Sequence, residues 1–367
     1  MQSSRLQRAL AECGSNSEFR DGVAPLESLG IRTSFKTIQR VAERVGAEVA
    51  EAQHGAMARA SAPSAAPQNK PELLVMLGDG LRVRERVEDG EIEKTDELEN
   101  PPADAEDGIS QLDRDNGWRE CKVGVVSRMR RGRMKRNGEY LEPETLVQTC
   151  LATMCDIRIF SEKLRAEAER RGLRTAKEVV AVSDAGHGLP EMWRDQFAGL
   201  LDAWILDFHH VSSRLAHCAS TVAEPGAPFA RLFGKWKELL YQGEIDKLLR
   251  QLTAHAKEHA SRPKKLRKLA KDSPGRILWT HIFYIEKYRE HMDYAYYRSR
   301  GWPIASGHVE ALAKQIGVRM KAASKRWTPI RGSEAMANLI ADRASQDGRW
   351  ENRWPAQVYS AASLQPS

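Results

Sequence analysis

A chain of 367 residues, 41% apolar and 29% charged, can bury a large core or divide into two or three domains. No apolar run reaches the length of a bilayer span and the first residues carry no signal-peptide segment, so a soluble cytosolic protein with no membrane partner is expected. The five cysteines are scattered and odd in number, without a C-x-x-C pair, which indicates neither a zinc ribbon nor a disulfide framework, and buried free thiols are expected.

The formal net charge of +7 is unevenly spread. An acidic stretch at residues 85–108 offsets much of the positive total, so the rest of the chain is more basic than the sum. Two basic runs stand out, at residues 128–136 with Arg130 and Arg131, and at residues 259–271 with Lys264 and Lys265. Such runs are either solvated faces or phosphate-binding surfaces.

In chain order, residues 26–46 read first as a helix-turn-helix-like fragment. Ser34 can cap a helix whose apolar face holds Phe35, Ile38, Val41, Ala42 and Val45, with Gly46 to close it. Lys36, Gln39, Arg40 and Arg44 fall on the other face. That face suits either a DNA groove or plain solvent above a helix docked on the protein body. Residues 1–47 then form an amino-terminal segment, and the Ala-, Ser- and Pro-rich residues 48–70 a linker.

Residues 72–80 (ELLVMLGDG) predict a strand ending in Asp79-Gly80. Further strands are expected at 118–127, 144–154, 178–184 and 202–207, with helices at 157–171 and 189–200. Three strands, then helix, strand, helix, strand, suit a ribonuclease H-like fold: an α/β mixed five-stranded sheet flanked by helices. Residues 71–210 would form its first part. Residues 211–300 read as an all-helical insertion, residues 301–350 as the last helices of the core, and residues 351–367 as a tail. Aromatic residues at helical spacing in 279–297 predict packing more than ligand contact.

Two predicted strands end in aspartate, Asp79 and Asp184, and in the proposed sheet these strands are neighbours. Paired carboxylates repel unless a cation lies between them, which points to a hard divalent ion. Nearby Gly78, Gly80 and Gly186 would let a nucleic-acid backbone approach. Holding two metals about 4 Å apart needs a third carboxylate, and Glu310, in the first turn of a helix starting at Ser306-Gly307, is the candidate. Each acid alone has a bland reading, as a turn residue or a helix-dipole partner.

The segments 150–189, 205–215 and 297–327, with GDG and WRECKVGVV upstream, resemble bacterial insertion-sequence transposases, closest to the ISKra-four type. The similarity runs from about residue 73 to residue 350. It implies a DDE transposase cutting and joining DNA with Mg²⁺ or Mn²⁺, two ions held by Asp79, Asp184 and Glu310. It also implies element ends and target DNA as partners, a nucleoid setting and a homo-oligomeric synaptic complex. Asp207 and His210 match a D-x-x-H motif, in which His210 either orients a carboxylate or is a satisfied core histidine. Arg326-Trp327 matches a basic-aromatic pair suited to a phosphate and an unpaired base.

The chain departs from the pattern at SDAGHG, where His187 has no counterpart, and in the short region before Asp79. That shortness raises the expectation of a truncated copy. Two rival readings follow: a DNA-binding relic without activity, and a ribonuclease H-like nuclease that never joins strands. P-loop, Rossmann and HExxH signatures are absent.

Overall fold

The structure, a computed structural model, describes residues 3–60, 70–86, 116–186, 188–270, 272–321, 325–329 and 331–354. Most of the acidic stretch, His187, Lys271 and the end of the tail lie outside them.

Three amino-terminal helices, α1 (Ser4–Asn16), α2 (Val23–Ser28) and α3 (Phe35–Ala60), precede the sheet. Its strands are β1 (Leu73–Arg84), β2 (Trp118–Arg130), β5 (Glu144–Thr153), β6 (Glu178–Ser183) and β7 (Ala203–Leu206). A two-stranded ribbon of β3 (Arg133–Met134) and β4 (Tyr140–Leu141) sits between β2 and β5. The sheet order is β5-β2-β1-β6-β7. β2 is antiparallel to both neighbours, whereas β6 and β7 run parallel to β1. This is the mixed five-stranded, helix-flanked sheet of a ribonuclease H-like core.

β1 is buried along most of its length because helices cover both faces of the sheet. Leu73, Val75 and Leu77 enter one core, Leu74 and Met76 the other, as the two-residue strand period requires. The second core is closed by α4 (Ile157–Arg170) and α5 (Leu189–Gln196), through Phe160, Leu164, Met192 and Trp193. Among the described residues the insertion is helical: α6 (Phe208–Val222), α7 (Ala227–Tyr241), α8 (Ile245–His259), α9 (Pro274–Tyr288) and α10 (Tyr294–Ser299). Tyr294 ties it to the sheet by donating its hydroxyl to the Leu206 carbonyl at 2.8 Å. Trp279 and Tyr294 are fully buried, in keeping with a packing role. The chain then forms α11 (Gly307–Met320), α12 (Ser333–Ala344) and α13 (Arg349–Asn352). No described helix is long and apolar enough to cross a membrane.

The amino-terminal reading needs correction. α3 does not stop at Gly46; it continues through residues expected to be linker as far as Ala60. Alanine is the strongest helix former, so the Ala-rich composition of 47–60 favours helix as much as linker. Ile38, Val41, Ala42, Val45 and Val49 are all buried, so α3 is docked on the body of the protein. Gly46 marks a close helix crossing: a Cβ there would stand 1.9 Å from the Ala335 carbonyl oxygen on α12. Strand ends moved too. β1 runs five residues past Asp79, because β2 continues to pair with it as far as Arg84↔Trp118.

Gly46→Ala should therefore destabilise the protein by about 1–3 kcal/mol, despite the better helix propensity of alanine. Urea unfolding of the two proteins would measure it, and an unchanged or raised midpoint would refute the packing account.

Candidate active site

β6 ends at Ser183, which lies in register with Gly78 of β1. Asp79 and Asp184 are the next residues on these parallel neighbours, Asp79 within β1 at the point where β6 ends and Asp184 just past that end. Neighbouring strands are about 4.8 Å apart, which puts the two acids side by side. The end of β6 is fixed by Ser183, whose Oγ accepts the indole N–H groups of Trp193 and Trp204 at 2.9 and 3.0 Å. Gly80 donates its N–H to Asp79 Oδ1 at 2.7 Å, and Gly186 donates to Asp184 Oδ1 at 3.1 Å. Gly78 has a different task from the one its sequence suggests. A Cβ there would meet Leu189 Cδ2 at 3.0 Å and Trp193 at 3.3 Å, so this glycine lets α5 pack on the sheet.

Glu310 enters from the first turn of α11. The helix begins at Ser306-Gly307 as expected, but Ser306 makes no side-chain cap. Its hydroxyl lies 2.7 Å from Asp207 Oδ2 and 3.1 Å from Glu310 Oε1, and its backbone N–H donates to Asp207 Oδ2 at 2.6 Å. Asp207 is fully buried and caps α6, where its Oδ1 accepts the His210 N–H at 2.8 Å. With both oxygens already taken by donors, Asp207 braces the residues around it. Asp79, Gly80, Asp184, His210 and Glu310, together with Lys314 and Lys321, line one cavity of about 510 Å³.

The charges in this cavity are strongly coupled. Burial, then the neighbouring Asp184, raises the Asp79 carboxyl from its ordinary 3.8 to about 7. The Gly80 N–H and His210 oppose that rise, and Glu310 adds to it. For His210, burial opposes the charged form, but Asp207, Asp184, Asp79 and Glu310 together outweigh it and raise the imidazole. The site thus holds more negative charge than one histidine offsets, and a hard cation fits its carboxylate donors. Among the described residues, one set of metal-ligating atoms lies within 4.8 Å of one another: Asp207, His210 and Glu310. Since Asp207 is already satisfied, Glu310 is the carboxylate of that set with room for a metal, and His210, favoured as the cation, stands beside it. Asp79 and Asp184 reach the same cavity from the strand side.

The basic residues singled out in the sequence are dispersed. Arg130 pairs with Glu144, and Arg131 with Glu178 at 2.9 Å, both at the end of the sheet away from the acids. Lys264 and Lys265 are exposed in the connection after α8. Lys36 and Arg40 are exposed on α3, while Arg44 pairs with Glu48 at 2.7 Å. Arg326 is exposed, but Trp327 has no open face for a base. It is 7% exposed, donates its indole N–H to the Met320 carbonyl at 3.1 Å, and packs its ring against Phe19 and Arg319. Ser306, Lys314 and Lys321 escaped sequence reading as site residues. Lys314 and Lys321 did carry a signal, since positions 310, 314, 317 and 321 repeat at helical spacing.

No protein-family model matches the chain, and no curated protein matches it. Among solved structures, the Drosophila P element transposase strand transfer complex is similar over 96% of this chain and 80% of that chain, at 11% identity and a TM-score of 0.29. A likeness at that level carries no argument about chemistry.

Two predictions follow from the charge balance and from the Ser306 contacts. A carboxyl raised in the folded state favours folding at low pH. In metal-free protein, stability should therefore fall as pH rises from the ordinary Asp79 value of 3.8 through about 7. Binding Mn²⁺ at pH 6.5 should release about one proton and reverse that loss. Calorimetry in buffers of different ionisation enthalpy measures the proton, which Asp79→Asn should abolish. Ser306→Ala should weaken Mn²⁺ binding by about 10-fold or more, and Ser306→Thr should restore much of it. Equal Mn²⁺ affinity in Ser306→Ala, read by electron paramagnetic resonance, would remove Ser306 from the site.

Proposed function

We propose that the protein is a metal-dependent DNA phosphoryl transferase of the DDE transposase kind, of the bacterial insertion-sequence type that its sequence resembles. The observation that supports this most is the meeting of Asp79 and Asp184, on adjacent parallel strands, with Glu310 across one cavity. Three carboxylates drawn from residues this far apart in the chain, on a ribonuclease H-like sheet, suit the binding of two Mg²⁺ or Mn²⁺ ions. When bound, such ions supply activation of the attacking oxygen and stabilisation of the leaving one.

The protein's own groups have separable parts in this reading. Asp79 and Asp184 hold position through the Gly80 and Gly186 amides, while Glu310 is held through Ser306. His210, favoured as the cation by its acidic neighbours, moderates their repulsion and is placed to bind a phosphate oxygen. Lys314 and Lys321 on the cavity wall meet the phosphates flanking the cut. Water attack on a phosphodiester at an element end breaks the P–O3′ bond and leaves a 3′-hydroxyl on the DNA. In the joining step that hydroxyl attacks a target phosphodiester in the same cavity, displacing another 3′-oxygen. No protein nucleophile is required.

The test is cleavage of a labelled duplex carrying the DNA end that flanks the coding sequence, with Mg²⁺ or Mn²⁺. Nicking at that end should be metal-dependent and fall at least about 100-fold in Asp184→Asn, since even residues outside a metal's ligand set cost 10- to 100-fold. Cleavage without joined products would leave a nuclease. Binding without cleavage by the unaltered protein would leave a DNA-binding relic.

A further inference from the structure

A second opening shares the end of α11 with the carboxylate cavity. It is a cleft of about 490 Å³ between the amino-terminal helices, the end of α11 and the segment around Trp327. Three exposed arginines line it from three parts of the chain: Arg20 after α1, Arg86 just past β1, and Arg326 after α11. None of them has an acidic partner among the described residues. Two acids also line the cleft, but each is engaged. Glu18 pairs with Lys325 at 3.3 Å, and Glu43 accepts the Gln39 side-chain N–H at 2.8 Å. The floor is rigid, because Arg319 stacks between Phe19 and Trp327, 4.5 and 4.9 Å from their ring centres, and donates to the Gly14 carbonyl.

Both elements that carry the acids lead into this cleft. From Asp79 along the strand to Arg86 is about 23 Å at the strand rise, and from Glu310 to Arg319 about 14 Å at the helix rise. At 3.4 Å per step these distances correspond to about four to seven base pairs of duplex. Lys321 lines the cavity and Arg319 the cleft, so the end of α11 borders both openings. The backbones also join there: Arg86 donates its N–H to the Trp327 carbonyl at 2.8 Å, and Trp327 donates to the Arg84 carbonyl at 3.0 Å.

We propose that this cleft binds the phosphate backbone of the DNA flank about five base pairs from the carboxylates, with Arg20, Arg86 and Arg326 as its phosphate contacts. The inference rests on the DNA phosphoryl-transfer reading above and deepens it. Under it, the amino-terminal helices are the far wall of the substrate channel, since α3 buries its apolar face in the body and turns Phe35 and Gln39 toward the cleft. Like charges gathered without counter-ions are what a polyanion relieves. Nearby Arg84 bears this out: burial first, and then Arg326, lower its pKa.

The test compares the unaltered protein with an Arg20→Gln/Arg86→Gln/Arg326→Gln variant on mixed-sequence duplexes of about 4 (closed by a hairpin) and about 24 base pairs, the shorter ending before the cleft when it lies in the cavity. Fluorescence anisotropy across a salt series, with Ca²⁺ present, reads affinity and salt slope. On the long duplex the variant should bind at least about 10-fold more weakly, with a log–log salt slope shallower by about 2 to 3. The long duplex's advantage over the short one should shrink to within about 2-fold. Unchanged slope on the long duplex, or equal losses on both lengths, overturns the proposal. An unaltered protein that binds neither duplex sinks the DNA reading itself, a distinguishable outcome. Should the triple variant unfold, judged by its melting curve, Arg20→Gln/Arg86→Gln carries the same comparison with a slope change of about 2.

Discussion

Asp207 is a buried carboxylate, and an ion removed from water must be repaid by donors. Here the donors are the His210 N–H on one oxygen and the Ser306 N–H and hydroxyl on the other. Hydrogen bonds to a charged group contribute about 1.5–3 kcal/mol each, so this small network is stiff. It lies where β7 passes into α6 and where the chain returns from the helical insertion, a junction also joined by the Phe208 N–H and the Ile304 carbonyl at 2.9 Å. His210 and Glu310, a hundred residues apart in the chain, are thereby brought to one point. The brace fixes the start of α11, while buried Val309, Leu312 and Ile316 dock the rest of that helix in the core.

The cavity is arranged around unfavourable charge. Asp79 and Asp184 are juxtaposed by strand register, and both are half-buried, so water screens them only in part. A carboxyl shifted to about 7 is stored electrostatic cost of the kind found at functional sites. The remaining features act to hold that cost in place: two backbone amides on the aspartates, two tryptophan indoles on Ser183, and α5 packed tightly on Gly78. One buried pair in the body is well matched. Lys163 meets Glu334 at 2.9 Å, and Glu334 also accepts from Thr153 and Asn338. The contrast between that matched pair and three acids gathered along one cavity favours the cavity as the place for a ligand.

The amino-terminal helices belong to the same body as the sheet. Packing of α3 against α12 at Gly46 docks them on the body, and Arg319 stacked on Phe19 joins them to the helix that carries Glu310.

Much of the sheet was legible in the chain. Apolar runs ending at glycine or aspartate, a charged helix between them, and the order of strands and helices specify a ribonuclease H-like layout, because strand and helix periods are local properties. The meeting of Asp79 with Asp184 followed from that layout. Local pattern misled where composition served two structures, as in the Ala-rich end of α3, and where a glycine could mean approach by ligand or by a neighbouring helix, as at Gly46 and Gly78. Trp327 reads as an exposed platform in sequence, yet tertiary packing buries it. Only the folded structure decided that Asp207 is a brace and Ser306 its bridge to Glu310, and that Arg130 and Arg131 lie at the wrong end of the sheet. Periodicity fixes which face a residue occupies, whereas long-range contacts decide what that face meets.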